Sequence, residues 1–158
     1  DFADMERRED IKNELNRLVR ESIIKEEDVS QISIIKLEHF LNSNIAIRMR
    51  EALINDRLKK EQQFVLGIPA KDVNPELEGE ELILVQGIID VYFEEEDGIV
   101  LLDYKTDYIP EGEKEDFLIN RYKVQLDYYQ KAIEQLVGKP VKEKIIYSFG
   151  LEKEIKLE

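Results

Sequence analysis

Residues 85–107 read Val-Gln-Gly-Ile-Ile-Asp-Val-Tyr-Phe-Glu-Glu-Glu-Asp-Gly-Ile-Val-Leu-Leu-Asp-Tyr-Lys-Thr-Asp. Two apolar runs flank the acidic turn Glu95-Glu96-Asp97-Gly98, a pattern that predicts a β-hairpin. A two-residue turn at Asp97-Gly98 would set Glu96 opposite Ile99 and Asp90 opposite Lys105. A turn lengthened by two residues would set Asp90 opposite Asp103. Either pairing brings Asp90, Asp103 and Lys105 together on one face. The other face would carry Ile89, Val91, Phe93, Val100, Leu102 and Tyr104. Ile88, Tyr92, Ile99 and Leu101 surround the charges, so both faces are expected to be buried.

Charged groups in such strands are costly unless they are paired or hold a metal. A salt bridge that fixes strand register would use one Asp and the Lys, and would leave the second Asp unexplained. Two close carboxylates suit a hard divalent cation. A neighbouring lysine then suits hydrolysis, because it can position a water or stabilise charge developing on a phosphate. A carboxylate pair can also serve glycoside hydrolysis. The adjacent lysine and the absence of Trp for sugar stacking argue against it.

Working outward from the hairpin, residues 1–60 read as helices. Apolar positions Ile11, Leu15, Leu18 and Val19 predict one over about Met5–Glu21. Ser33 can cap a second, carrying Ile34, Leu37, Phe40 and Leu41. A third is expected over Asn44–Leu58. The pattern then turns to short apolar runs. Gln62–Ala70 reads as a strand ending at Pro69, and Leu82–Glu94 and Ile99–Tyr108 as the hairpin. A long amphipathic helix is expected over Lys114–Val137, stopped by Gly138 and Pro140. Lys144–Gly150 reads as a strand and Leu151–Leu157 as a short edge strand. The expected fold is α/β: an αβββαβ core around a mixed sheet. The expected division is a helical segment over 1–60 and a core over 61–158.

The chain has 158 residues, 42% of them hydrophobic, which suits one packed domain. No apolar run is long enough for a membrane span, and the N-terminal stretch is charged throughout. Cysteine is absent, which removes disulfides, thiolate metal sites and a cysteine nucleophile. A cytoplasmic location is expected. The net charge is −13, unevenly spread: residues 1–60 hold 12 basic and 13 acidic groups, residues 61–158 hold 11 and 23. A domain this acidic would not hold a nucleic acid by bulk attraction. It would need metal ions, or a neighbour that delivers the strand.

Gly87-Ile88-Ile89-Asp90, then Asp103-Tyr104-Lys105-Thr106-Asp107, then Gln125-Leu126-Asp127-Tyr128-Tyr129 resemble, in that order, the RecB-type branch of the PD-(D/E)XK nucleases. Within that branch the hairpin is most similar to the AddA-type nuclease domains of bacterial helicase–nucleases. The resemblance covers roughly residues 30–158 and implies a restriction-endonuclease-like fold. It implies a DNA exonuclease or endonuclease that processes double-strand ends for recombinational repair. The metal would be Mg²⁺ or Mn²⁺, on Asp90, Asp103 and the Tyr104 carbonyl. Lys105 would be the catalytic lysine, with Gln125 and Tyr129, four residues apart on one helix face, near metal or DNA. The implied partners are single-stranded DNA delivered by a helicase motor and a second protein of the AddB type. ATP would belong to the helicase part, outside this chain. A non-catalytic module of the same fold, binding DNA or a partner protein, is the alternative; three intact site residues argue against it.

The family also carries a metal-ligating histidine in a Gly-Thr context on an upstream helix. Here the only histidine is His39, in Lys-Leu-Glu-His-Phe-Leu-Asn, with no Gly-Thr before it. His39 is expected to be a packed or surface helix residue, and the family's histidine to lie upstream of residue 1. On that expectation the chain alone cuts DNA weakly or not at all. Glu61 is a further acidic candidate, against a solvated strand-end charge.

Overall fold

The structure is a computed structural model that describes residues 5, 7–73, 81–110, 112 and 114–158; the charged stretch 1–4 lies outside them. The order is α1 (Arg8–Arg20), α2 (Glu26–Val29), α3 (Ile34–Leu41), α4 (Asn44–Ile54), β1 (Leu58–Pro69), α5 (Ala70–Val73), β2 (Leu82–Glu95), β3 (Gly98–Lys105), α6 (Glu115–Val137), β4 (Val141–Ser148) and β5 (Lys153–Leu157). The five strands form one sheet in sequence order. β1, β2 and β3 are an antiparallel meander. α6 carries the chain over so that β4 lies parallel to β3, and β5 returns antiparallel. The result is a mixed α/β sheet with helices on both faces.

The helices begin and end where local chemistry allows. Ser33 Oγ accepts from Lys36 N and caps α3; Ser43 Oγ accepts from Ala46 N and caps α4. Gly138, at φ 74°, ends α6 in the left-handed conformation that lacks a Cβ penalty. α4 ends at Ile54, four residues before the expected Leu58. Asp56 takes a φ of 55°, and Arg57 N donates to Ala52 O, which turns the chain into β1.

β1 correspondingly starts at Leu58, earlier than Gln62. Its Lys59-Lys60-Glu61 run is exposed on the sheet edge, where charges discourage pairing with other chains.

One apolar layer packs α1, α3 and α4 on the sheet through Ile11, Leu15, Phe40, Ile45 and Met49 against Val91, Phe93, Val100, Leu102, Ile145 and Tyr147. On the other side α6 places Tyr129 and Ile133 against Ile89, Tyr92, Ile99 and Leu101. Leu118 and Leu126 of α6 meet Ile146, Ile155 and Leu157. β3 is therefore buried on both faces from Gly98 to Asp103, as expected for a central strand.

The hairpin differs from the sequence reading in several details: β3 ends at Lys105 and not at Tyr108, and Ile88 is exposed. The turn is Glu96-Asp97, with Glu95 opposite Gly98 and Val91 opposite Leu102. This continues toward the Asp90–Asp103 pairing, reached by moving the turn back one residue instead of lengthening it. Ile89 also lies on the α6 side with Tyr92, not with Val91 and Phe93. Alternation breaks at Asp90. Opposite it, Glu61 holds a φ of 52°, and the otherwise continuous β1–β2 register skips this one pair. A left-handed non-glycine residue inside a strand bends the backbone and re-aims the neighbouring side chains.

Candidate active site

β3 ends in alternation that sends Tyr104 toward α3 and α4, and Asp103 and Lys105 toward α6. Tyr104 meets Phe40 edge-on at 5.4 Å, and its hydroxyl lies 3.7 Å from Met49 Sδ. That packing pins the strand from the far side. Asp103 is 2% exposed in the other direction. Lys105 Nζ lies 2.5 Å from Asp103 Oδ2. The ammonium is the charge partner of that oxygen, and no other hydrogen bond reaches it among the described residues. Burial raises the Asp103 carboxyl above its ordinary value; Lys105 pulls it down, and the nearby Asp90 and Asp107 charges push it up again.

Asp90 sits where β2 parts from β3. Its Oδ2 accepts from Tyr104 N at 2.9 Å, replacing a ladder bond. A strand residue's N–H and C=O face the same edge, so the Tyr104 carbonyl is turned toward the Asp90 side. Asp90, Lys60, Glu61, Val91, Phe40, Met49 and Tyr104 line one open depression. Glu61 is thus within the strand and exposed, beside Asp90, with the left-handed backbone already noted. Such a conformation costs roughly 1–3 kcal/mol and is concentrated at functional sites.

α6 supplies the third wall. Lys105 Nζ donates to Gln125 Oε1 at 3.3 Å, and Gln125 Nε2 donates to the Tyr129 hydroxyl at 2.5 Å. Tyr129 is buried and meets Phe64 edge-on at 5.5 Å. Burial raises its hydroxyl, Gln125 lowers it, and the charges of Asp103 and Asp90 raise it, so the phenol feels both carboxylates. Gly87 explains itself here. A Cβ would stand 2.9 Å from Phe64 Cε1 and 3.7 Å from Tyr129 Cε1, too close for the ring pair to keep its place.

The structure therefore gathers Asp103, Lys105, Gln125 and Tyr129 into one chain of contacts, with Asp90 and Tyr104 joined at the strand edge. Tyr128 is only half-buried, and Lys131 lies 6.0 Å from its ring centroid. His39 stands apart from these contacts. It is 52% exposed on the last turn of α3, with Nδ1 against Glu152 Oε2.

One residue escaped the sequence reading. Tyr122 lies under the Lys105 ammonium, 4.1 Å from ring centroid to Nζ, and donates to Asp107. Its position, three before Gln125 and seven before Tyr129, is the helical spacing that could have found it.

The donor set fits a hard divalent cation. It consists of oxygens, and the two carboxylates lie close enough for the Asp90 charge to raise the buried Asp103 carboxyl. Among the described residues no third His, Cys, Asp or Glu joins a metal-holding cluster with the two aspartates. Asp90, Asp103 and the Tyr104 carbonyl would hold such an ion.

Residues 2–156 match the PD-(D/E)XK nuclease superfamily. The chain is 41% identical over 154 residues to the A subunit of the ATP-dependent helicase/nuclease of Clostridium perfringens, covering 94% of this chain and 12% of that protein. It is 42% identical over 154 residues to its counterpart in Clostridium novyi, covering 95% and 12%. Against the counterpart in Lachnoclostridium phytofermentans it is 38% identical over 192 residues, covering 100% and 14%. The chain thus spans about an eighth of the length of these relatives. A solved structure of SSO0001 covers 89% of this chain and 59% of its own, with a TM-score of 0.43 and 17% identity. The fold is α/β of the restriction-endonuclease-like kind, and the chain belongs to the PD-(D/E)XK nuclease superfamily.

Proposed function

We propose that this chain is the DNA-cleaving domain of a helicase–nuclease that processes double-strand ends for recombinational repair. The observation that carries the reading is the convergence of Asp90, Asp103 and Lys105 at the open end of β2 and β3, where a buried, lysine-paired carboxylate lies within reach of a second carboxylate's charge. A register salt bridge would account for Asp103 and Lys105 but not for the second carboxylate, Asp90, beside them. The relatives are helicase/nuclease subunits by name; DNA as the substrate follows from that reading.

Each residue has a part that its geometry supports. Asp90 and Asp103, with the Tyr104 carbonyl, hold Mg²⁺ or Mn²⁺. When bound, such an ion supplies Lewis acidity toward a phosphate oxygen and toward a water. Asp90 is held by Tyr104 N, so its free oxygen is fixed in direction. Lys105, held by Asp103 and Gln125, places positive charge where the scissile phosphate gains negative charge. Gln125 and Tyr129 orient Lys105 from α6 and present the Tyr129 hydroxyl to the same space. The acidic balance of residues 61–158 repels a phosphate backbone, so single strands reach the site through motor domains and an AddB-type partner, with ATP used only there. Among the described residues no helix is long and apolar enough to cross a membrane.

The test is cleavage of a single-stranded oligonucleotide by the full-length polypeptide with Mg²⁺ or Mn²⁺, alongside metal titration of this domain. Metal-dependent cutting that disappears in Asp103→Ala supports the reading. DNA binding without cutting under every metal condition would make the domain a non-catalytic module of the same fold.

A further inference from the structure

Lys105 has a wall that the active-site reading does not use. Its ammonium lies 4.1 Å from the centroid of the Tyr122 ring. The Tyr122 hydroxyl donates to Asp107 Oδ1 at 2.8 Å and reaches Oδ2 at 3.0 Å. Asp107 is also 3.4 Å from Arg121 Nη1. The backbone at Asp107 is held close as well, because a Cβ on Gly150 would overlap the Asp107 carbonyl. Asp107 is therefore a fixed anchor two residues beyond Lys105, and it turns the ring of Tyr122 toward the ammonium.

We propose that Tyr122, aimed by Asp107, is a positioning residue that holds the Lys105 ammonium over its ring and so toward the space between Asp103 and Gln125. The inference rests on the reading of Lys105 as the catalytic lysine. A cation over an aromatic face is attracted by the ring's negative quadrupole, more strongly when water is excluded. Lys105 is 13% exposed, so the contact is largely dry. Donation to a carboxylate makes the phenol ring more electron-rich and deepens that attraction. Asp103 and Gln125 take two directions around the ammonium, and the ring closes a third. Without the ring, a flexible four-carbon stem would be free to swing its charge toward water.

The experiment compares Tyr122→Leu, Tyr122→Phe and Asp107→Asn in single-stranded DNA cleavage by the full-length polypeptide, with Lys105→Ala as the reference. Tyr122→Leu should lower kcat about ten- to thirty-fold, with KM within about two-fold of the parent. Tyr122→Phe keeps the ring and should recover most of that loss. Asp107→Asn should fall between them. A direct signature is the upfield ring-current shift of the Lys105 ε-methylene signals in the metal-free domain. The shift should vanish in Tyr122→Leu and persist in Tyr122→Phe, while the dispersed backbone amide spectrum of both variants shows that they are folded. Parent-like cleavage by Tyr122→Leu beside an inactive Lys105→Ala overturns the positioning role alone. A rise in KM at unchanged kcat makes Tyr122 a substrate contact and overturns it too. Tyr122→Phe as damaged as Tyr122→Leu shows that the hydroxyl, not the ring, matters, and equally overturns it. Parent-like cleavage by Lys105→Ala removes the nuclease reading and this inference with it.

Discussion

The β2–β3 hairpin carries a charge cluster at each end, and the two are built on opposite terms. At the turn end, Arg48 donates to Glu95 through Nε at 2.8 Å and Nη2 at 2.9 Å, and reaches Glu143 at 3.1 Å and 3.2 Å. Lys142 meets Glu95 at 2.6 Å and also touches Asp97, and Lys156 meets Glu143 at 2.9 Å. The guanidinium also sits 5.7 Å from the Phe93 ring centroid. Each of these three carboxylates has a cation. At the open end, Lys105 pairs with a buried Asp103 that also feels the Asp90 and Asp107 charges, and Asp90 accepts from Tyr104 N. The protonation directions follow. Hydrogen bonding from Arg48 is the largest influence on Glu95 and lowers it to about 2, whereas burial dominates at Asp103 and raises it. A cluster that is complete without help serves stability. One in which burial and neighbouring carboxylates raise an acid is suited to a bound cation, as proposed above.

The largest effect expected from this contrast is catalytic. Asp103→Ala or Lys105→Ala should reduce DNA cleavage by about a thousand-fold or more, while ATP hydrolysis by the attached motor persists. Arg48→Ala should leave cleavage per folded molecule unchanged. Its cost should appear in urea unfolding, about 2 kcal/mol, because Glu95 and Glu143 would lose a half-buried partner. If Arg48→Ala abolished cutting while Asp103→Ala did not, the assignment of the two ends would be reversed.

Acid should separate them next. Glu95 has a depressed folded value, so its contribution is complete above the ordinary carboxylate range and is lost as pH falls toward about 2. The deficit of Arg48→Ala should therefore shrink over that window. Asp103 has a raised folded value, so the sign is opposite: its charge destabilises the metal-free fold at neutral pH, and protonation relieves this as pH falls through the raised value. Metal-free Asp103→Asn should melt about 2–4 °C higher than the parent at neutral pH, with the gap closing on acidification. Divalent metal should reverse the order. A clear loss of stability in metal-free Asp103→Asn would mean that its ion pair with Lys105 is structural.

Asp90→Asn should change metal-free stability by less than about 0.5 kcal/mol, because an amide oxygen can still accept from Tyr104 N. It should nonetheless lose metal binding, which a titration of the single variant checks.

Much of this contrast could be read from the sequence, and the limits have physical causes. The order of the main elements followed from periodicity and from Ser33, Gly138 and Pro140 as punctuation. Two single-turn helices, α2 and α5, are too short for any period to announce. The candidate site residues stood out because Asp90, Asp103 and Lys105 interrupt apolar strands. The register did not, because the expected Asp97-Gly98 turn and the observed Glu96-Asp97 turn lie in one acidic run and differ by a single residue. The face change at Ile89 depends on the backbone of Glu61, in a different strand, which no local pattern reveals. The Arg48 network joins residues 47 and 95 positions apart, and its members look like ordinary surface charges in sequence.

The smallest effect expected is none, at His39. Its neighbour Phe40 turns inward, against Tyr104 and Tyr147, and helps wall the depression beside Asp90. One residue later on a helix means a rotation of about 100°. His39 accordingly faces outward, half-exposed, with Glu152 of the turn before β5 as its partner. A surface pair of this kind contributes at most about 1 kcal/mol. His39→Ala should therefore leave metal affinity and cleavage within about two-fold of the parent, and melting within about 1–2 °C. Metal titration and the cleavage assay on the single variant check this. Loss of metal binding in His39→Ala would place an imidazole at the site through a shift of α3. The segment Lys36–Asn42 would then contain the family's histidine, and the donor set would be Asp90, Asp103 and His39 together.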